Sequence, residues 1–384
     1  MMNFLFDFGA IKTGGGVQLS VNFLSLLDRL KPADMNIFLL IPEVGELSKL
    51  DLTEKYAGIF VSPNSFWKRF IFEHVHLQDL IRRNKIDHLF TFFGAGLPHS
   101  KNVRSVVTVA YPIICYPESP YWNYLGAKEK AYYRCLNILR RHRLRSASGI
   151  IAETTVMRDR IARSVKFPAE QISVIPPVPS QYLSPIESQR ALPSCRFLFI
   201  SGNDSHKNLW RLPSIAKCML TMGAKDFMFL LTTSREAYLM SLKEPGVPEN
   251  LINVHFTFLG SISPQRIMEA YRQADVVVSL SDLESFSNNY MEAWTARLPL
   301  VASDRDFSRI ICEDSAVYVE PHQPEAVAKQ LCLVAQDHSL KDRLVKAGVK
   351  RLSYLPTQEE RFALVMKELL GHSRGLDNAR TIAA

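Results

Sequence analysis

Short runs of apolar, often β-branched or aromatic residues alternate along this chain with longer stretches whose apolar positions recur every three or four residues. The short runs "NFLFDFG", "MNIFLLIP", "DHLFTFFG", "RSVVTVAY" and "GIIAET" fall in the first half. "RFLFIS", "DFMFLLTT", "VHFTFLG", "DVVVSLS", "PLVASD" and "AVYVEP" fall in the second. They are continuously apolar rather than alternating, the pattern of strands covered on both faces in a parallel sheet. Stretches with helical spacing lie between them, such as "GVQLSVNFLSLLDRL", "NLWRLPSIAKCMLTMG" and "PEAVAKQLCLVAQD". Strands joined by helical crossovers predict an α/β chain with two doubly wound, Rossmann-like domains. The segment "VIPPVPSQYLSPIESQRALPSC" separates the two series, and its five prolines make it a stiff non-helical connector. The expected boundary is near residue 180. Ligands of such sheets bind outside the carboxyl ends of the strands, so a cleft with the two domains facing each other is the expected site.

The chain has 384 residues, enough for two cores. Hydrophobic residues make up 47% and charged residues 22%, as in soluble globular proteins, and no apolar run reaches transmembrane length. The start "MMNFLFDFGAIKTGGG" reads as a first strand and a glycine loop rather than a signal peptide. Six scattered cysteines without a C-x-x-C pair read as reduced thiols of a cytoplasmic protein, not as a zinc site. The net charge of +8 is unevenly placed: residues 1–180 carry 23 Lys/Arg against 15 Asp/Glu, and the remainder carries 23 of each. An excess confined to the first half points to an anionic partner there.

The most informative loop is "SDLESFSNNYMEAW", just past the strand that ends near Leu280. A helix is expected from Asn288 or Asn289, capped by Ser287 or Asn288, with Glu292 in its first turn. Free N–H groups at that helix start suit a phosphate or a sugar hydroxyl. Glu284 on the loop and Glu292 on the helix can face one cleft, and a carboxylate accepts hydrogen bonds from adjacent sugar hydroxyls. The loop therefore reads as a nucleotide-sugar site. A glutamate pair at this spacing is common by chance, and the bland alternative is a solvated loop with an exposed helix face.

The flanking pattern gives the loop its specificity. "ESFSNNYMEAWTARLPLVASD", with the upstream "VHFTFLGSISPQRIMEAYRQADVVVSLSDLE" and the downstream "CEDSAVYVEPHQPEAVAKQL", resembles the retaining glycosyltransferases of the GT-B fold, family 4, over about a hundred residues. The resemblance implies two Rossmann-like domains: an acceptor-side domain over 1–180 and a donor-binding domain over 181–357. A last helix of about 358–384 packs back on the first domain. It implies that Glu292 binds the nucleotide ribose, that Glu284 contacts the donor hexose, and that Ser285, Phe286, Ser287 and Asn288 line the donor. In "ISGNDSHKNLWRL", Lys207 matches the lysine that neutralises the diphosphate, while Asn203 stands where the family's arginine falls; His206 and Arg211 are candidate substitutes. Gly14, Gly15 and Gly16 match the family's glycine loop, for which a plain strand-to-helix turn carries nearly equal weight. Ala110 in "SVVTVAYP" replaces a histidine common in the family, and Tyr111 beside it is a poor substitute for an imidazole. No cofactor and no metal are implied.

A basic helix runs through "KEKAYYRCLNILRRHRLR", where Lys130, Arg134, Arg141 and Arg145 share one face at helical spacing. Together with the aromatic-basic run Trp67, Lys68, Arg69 and Phe70, it suggests contact with an anionic membrane surface. His74 and His76 diverge on a helix and make no metal pair.

These features predict a retaining, metal-independent hexosyltransferase moving sugar from a nucleotide-sugar to a polyprenyl-linked or glycan acceptor in bacterial surface polysaccharide synthesis. The alternatives are a non-catalytic sugar-nucleotide binding or scaffolding protein and, as a lesser enzyme, a sugar-nucleotide epimerase. A nucleic-acid binder is disfavoured because no recognition motif accompanies the charge.

Overall fold

The computed structural model describes residues 1–12, 15–31, 34–52, 55–187, 194–243 and 246–371. The chain divides into two compact units. The first comprises Met1–Tyr116, Lys128–Pro177 and the chain from Pro356; the second comprises Pro117–Ala127 and Val178–Leu355. A single cut at 180 places Pro117–Ala127 with the first half, whereas that segment packs with the second unit. Its Ser119 and Tyr124 bond to Asp282, a pairing that local sequence does not encode.

The first unit holds a seven-stranded parallel sheet ordered β3-β2-β1-β4-β5-β6-β7. The strands are β1 (Met2–Asp7), β2 (Met35–Pro42), β3 (Gly58–Ser62), β4 (His88–Thr91), β5 (Arg104–Thr108), β6 (Gly149–Ala152) and β7 (Ile172–Val174). The edge strands β3 and β7 are additions to the five strands legible in the pattern. β3 is only partly buried, with Val61 49% exposed, and β7 has three residues, so neither carries a long apolar run. Phenylalanines fill the core: Phe6 lies 5.7 Å from Phe23, and Phe23 lies 5.2 Å from Phe362 between ring centroids. Phe362 belongs to the Gln358–Leu370 helix, which is thereby fixed on this unit. That helix opens with a capping box between Thr357 and Glu360. Arg104 donates to the carbonyls of Leu369 (2.9 Å) and Glu368 (3.0 Å) at its other end.

The second unit holds a six-stranded parallel sheet ordered β10-β9-β8-β11-β12-β13. Its strands are β8 (Cys195–Phe199), β9 (Phe227–Leu231), β10 (Phe256–Phe258), β11 (Val276–Ser279), β12 (Leu300–Ser303) and β13 (Ala316–Val319). Trp294, on the Asn288–Ala296 helix, is buried against Gly348 of the His338–Leu352 helix. A Cβ at Gly348 would lie 2.3 Å from the Trp294 ring, so only glycine admits this approach. All six cysteines are free thiols, and no helix among the described residues is long and apolar enough to cross a membrane.

Candidate functional site

In the second sheet the chain leaves β8 for β9 on one side and later enters β11 on the other, which makes the β8/β11 boundary the topological switch point. The loop after β8 carries Asn203, His206 and Lys207, and the loop after β11 carries Asp282, Glu284 and Ser285. The two loops are joined by the Asp282 N–H, which donates to the His206 carbonyl at 2.8 Å, and by an ion pair from Lys207 Nζ to Glu284 Oε1. Both side chains of the pair are largely removed from water. The structure thus brings together Lys207 and Glu284, residues 77 apart in the chain, at the place where an α/β sheet binds ligands. Burial, followed by the Lys207 charge, lowers the pKa of His206 and favours its neutral imidazole.

Several details differ from the sequence expectation. Lys207 closes a short 3-10 turn, Ser205–Lys207, and the anion facing it is Glu284. Ser287 occupies the N-cap position of the Asn288–Ala296 helix but makes no side-chain cap bond. Glu292 stands in the second turn of that helix, not the first. Its carboxylate accepts from the Tyr271 hydroxyl at 2.7 Å; burial raises its pKa and this bond partly offsets the rise. Tyr271 is the only partner of Glu292 among the described residues, so lone pairs remain to accept from a ligand. Ser285 is buried, and Phe286 packs against the helix-side core. Asn288 starts the helix, and Asn289 anchors it by donating to the Ile200 carbonyl at 2.8 Å.

Asn203 donates to Thr233 Oγ1 at 2.8 Å, while its side-chain Oδ1 is buried without a hydrogen-bond partner among the described residues. It supplies no charge. Arg211 does lie close by: it stacks on Trp210 at 4.0 Å and contacts His322 Nδ1 at 3.2 Å. Lys243 adds a cation over the rings of Tyr124 and Trp210, at 4.2 and 4.5 Å. Gly15 and Gly16 open the Gly15–Leu30 helix of the first unit, and Gly14 lies outside the described residues. A Cβ on Gly16 would meet Ile11 at an ordinary 3.4 Å. The glycine that packing demands in that loop is Gly9, where a Cβ would meet Ser62 at 2.8 Å.

The organising residue of the second-unit site is one that the sequence reading passed over. Asp282 is buried and accepts from Asn208 Nδ2 (2.7 Å), Tyr124 Oη (2.8 Å), His322 Nε2 (2.9 Å) and Arg305 NH2 (2.6 Å). Burial by itself would raise its pKa, but these four bonds outweigh it and hold the carboxyl below its usual value. Arg305 continues to Glu320 by a bidentate pair at 2.7 and 2.8 Å. Asn208 makes the sharp turn after Lys207 in the left-handed region, φ 59°, with its side chain fully buried. Asp282, Glu320 and His322 have metal-ligand atoms within 4.8 Å of one another, but the Arg305 guanidinium bonds both carboxylates and supplies the countercharge. The available signal was positional, since "SDLE", "SDRD" and "EPH" each follow directly on a strand end of this sheet.

This pair of doubly wound units is the GT-B architecture of nucleotide-sugar glycosyltransferases. Residues 15–178 match the model of Glycosyltransferase Family 4, and residues 248–351 match that of Glycosyl transferases group 1. The chain belongs to the group 1 glycosyltransferase family. It is 24% identical over 196 residues to the O-antigen chain mannosyltransferase RfbU of Salmonella typhimurium, a match spanning half of this chain and 52% of that protein. Among solved structures it is similar to sucrose-phosphate synthase from Thermosynechococcus elongatus (TM-score 0.73, 17% identity, all of both chains). It is also similar to Anabaena HepE in complex with UDP and glucose (TM-score 0.69, 13% identity, 97% of this chain and 100% of that one). A third such structure is WaaG, a glycosyltransferase involved in lipopolysaccharide biosynthesis (TM-score 0.70, 12% identity, 95% and 98%).

Proposed function

We propose that the protein is a retaining hexosyltransferase that takes sugar from a nucleotide-sugar and adds it to a polyprenyl-linked or glycan acceptor in bacterial surface polysaccharide synthesis. The Lys207–Glu284 pair at the β8/β11 switch point, with Glu292 on the following helix, carries the reading. Lys207 is placed to exchange Glu284 for the donor diphosphate and so stabilise the leaving group, while Glu284 is freed to accept from a sugar hydroxyl. Glu292 has lone pairs for a ribose. Arg211 and Lys243 add positive charge beside this site, so the reading needs no metal at the diphosphate. Similarity to RfbU, an O-antigen chain mannosyltransferase, and to WaaG, a glycosyltransferase involved in lipopolysaccharide biosynthesis, supports a polysaccharide or lipopolysaccharide context, and the UDP held by HepE supports a nucleotide-sugar donor.

The deciding experiment incubates the protein with a panel of UDP-, GDP- and dTDP-hexoses, with and without polyprenyl-diphosphate-linked sugar, in EDTA. Acceptor-dependent nucleotide release, with an anomeric product configuration matching the donor by NMR, is the expected result. An inverted product refutes retention. Nucleotide-sugar binding without turnover of any donor favours the second reading, a non-catalytic sugar-nucleotide binding protein. The uncharged Asn203 and the alanine at Ala110 are the observations behind that reading.

Membrane association belongs to the same proposal, but the basic stripe needs correction. Arg141 donates to the Ile114 carbonyl at 2.9 Å and Arg145 to the Val165 carbonyl at 2.6 Å, so the protein body holds half of the stripe. The stronger feature is the Phe66–Ile71 helix, where Phe66, Trp67 and Ile71 are 55%, 71% and 52% exposed beside Lys68. Aromatic residues next to a lysine suit the headgroup layer of the inner face of a bacterial membrane.

A further inference from the structure

The first unit has its own switch point, between β1 and β4, and a cavity of about 180 Å³ opens there. This is an order of magnitude more than the roughly 10–15 Å³ that one water needs. Its floor is Asp7 at the end of β1 and Thr91 at the end of β4. One wall brings Arg69 and Glu73 from the segment that follows β3, and the other brings Arg140 and Arg143 from the Ala127–Arg145 helix.

The charges in this cavity do not cancel. Glu73 is almost fully buried and is shared by Arg69 and Arg143, each at 2.7 Å. Asp7 accepts from the Gly9 N–H at 2.8 Å, and the Arg69 charge acts on it. Arg140 is left over. Its guanidinium stacks 4.4 Å from the Tyr111 ring centroid and donates to Asn137 Oδ1 at 3.3 Å, and no carboxylate pairs with it among the described residues. Burial lowers its pKa, the mark of a cation short of solvent. A second polar group is also incomplete: Thr91 is 2% exposed, and its Oγ1, beside Asp7, completes no hydrogen bond of good geometry. A half-buried cation with no carboxylate beside it and a buried hydroxyl with no bond of good geometry are both costly unless something completes them.

We propose that this cavity binds an oxyanion as the charged part of the acceptor, with Arg140 taking the anion and Thr91 and Asp7 taking a hydroxyl where the ligand carries one. Arginine is the side chain best shaped for phosphate or carboxylate, and a Tyr-stacked guanidinium is oriented in advance for it. Phe66 and Phe70 line the mouth and are themselves 55% and 40% exposed, so the entrance tolerates an apolar tail behind the anion. The inference rests on the transferase reading only for the ligand's role as acceptor; the binding chemistry stands on the cavity.

Two sources supply such an oxyanion, a lipid phosphate and an acidic sugar. The test titrates the protein calorimetrically with geranyl phosphate, glucose 6-phosphate and glucuronate, with glucose as the neutral control. At least one anion should bind, glucose should not, and Arg140→Gln should weaken the anion at least tenfold while Arg140→Lys recovers part of the loss. Binding of geranyl phosphate alone assigns the lipid source; binding of the sugar acids alone assigns the glycan. Hydrogen-exchange protection of the β1 and β4 amides, measured on the same preparations, should be unchanged in both variants and shows that the first unit is folded. Absence of binding by all three anions, or equal binding by a folded Arg140→Gln, overturns the proposal. Loss of donor turnover with anion binding intact would count against the transferase reading and not against this one.

Discussion

Asp7 gives the sharpest quantitative test of the first-unit cavity. Its carboxyl is 2% exposed, and burial is the dominant influence on it. The Arg69 charge and the Gly9 N–H pull the other way without cancelling it, and the pKa is raised from 3.8 to about 6. The groups around it are Arg69 and Glu73 on one wall, Arg140, Arg143 and Tyr111 on the other, and Thr91 at its side. A rise of that size favours the protonated form in the folded chain by about 3 kcal/mol. A raised acid pKa means that the stabilising contribution is complete below 3.8 and is lost as pH rises through about 6. Asp7→Asn removes this titration, keeps an oxygen for the Gly9 N–H, and offers Thr91 Oγ1 a donor. The variant should therefore gain on the parent by about 3 kcal/mol between pH 4 and pH 7, with no further gain above. Because two units rarely unfold as one, the readout is hydrogen exchange of the β1 and β4 amides across that range, compared between the two proteins. A difference that stays flat, or that falls with pH, would refute the reasoning and show that Arg69 neutralises Asp7 in full.

Four further outcomes follow from particular contacts. Lys207→Ala should cost nucleotide affinity on the order of 3–5 kcal/mol by calorimetry, more than Glu284→Ala costs, because the diphosphate loses its buried countercharge; unchanged affinity would remove the phosphates from Lys207. Gly348→Ala should destabilise the second unit by roughly 1–3 kcal/mol in urea unfolding, since the new methyl meets Trp294 at 2.3 Å. Arg297 ends the Asn288–Ala296 helix at φ 58° on the surface, so Arg297→Gly should raise stability by up to about 1 kcal/mol, read as a higher melting temperature. Trp67→Ala with Lys68→Gln should reduce pelleting with anionic vesicles more than changing Lys130, Arg134, Arg141 and Arg145 to Gln, and equal pelleting would return the aromatic helix to the role of a solvated surface.

The sequence by itself determined the parallel, doubly wound character of both sheets. Runs such as "ADVVVSLS" are apolar without alternation, and only strands covered on both faces need that. It also located the candidate site loops, because Lys207, Glu284 and Glu292 stand at fixed short distances from strand ends that the pattern locates. The tertiary structure decided which charges meet. Asp282 takes its partners from Tyr124, Asn208, Arg305 and His322, four separate segments that the order β8-β11-β12-β13 and the inserted Pro117–Ala127 bring to one point. Helical spacing put Arg141 and Arg145 on a solvated stripe, yet their guanidiniums turn to carbonyls of Ile114 and Val165 that no local pattern could supply. The Arg140 cavity was illegible for the same reason. Hydrophobic periodicity is a local property that reports which face of an element is covered, whereas the partner of a buried charge is fixed by strand order and loop approach, which the packing of the whole unit sets.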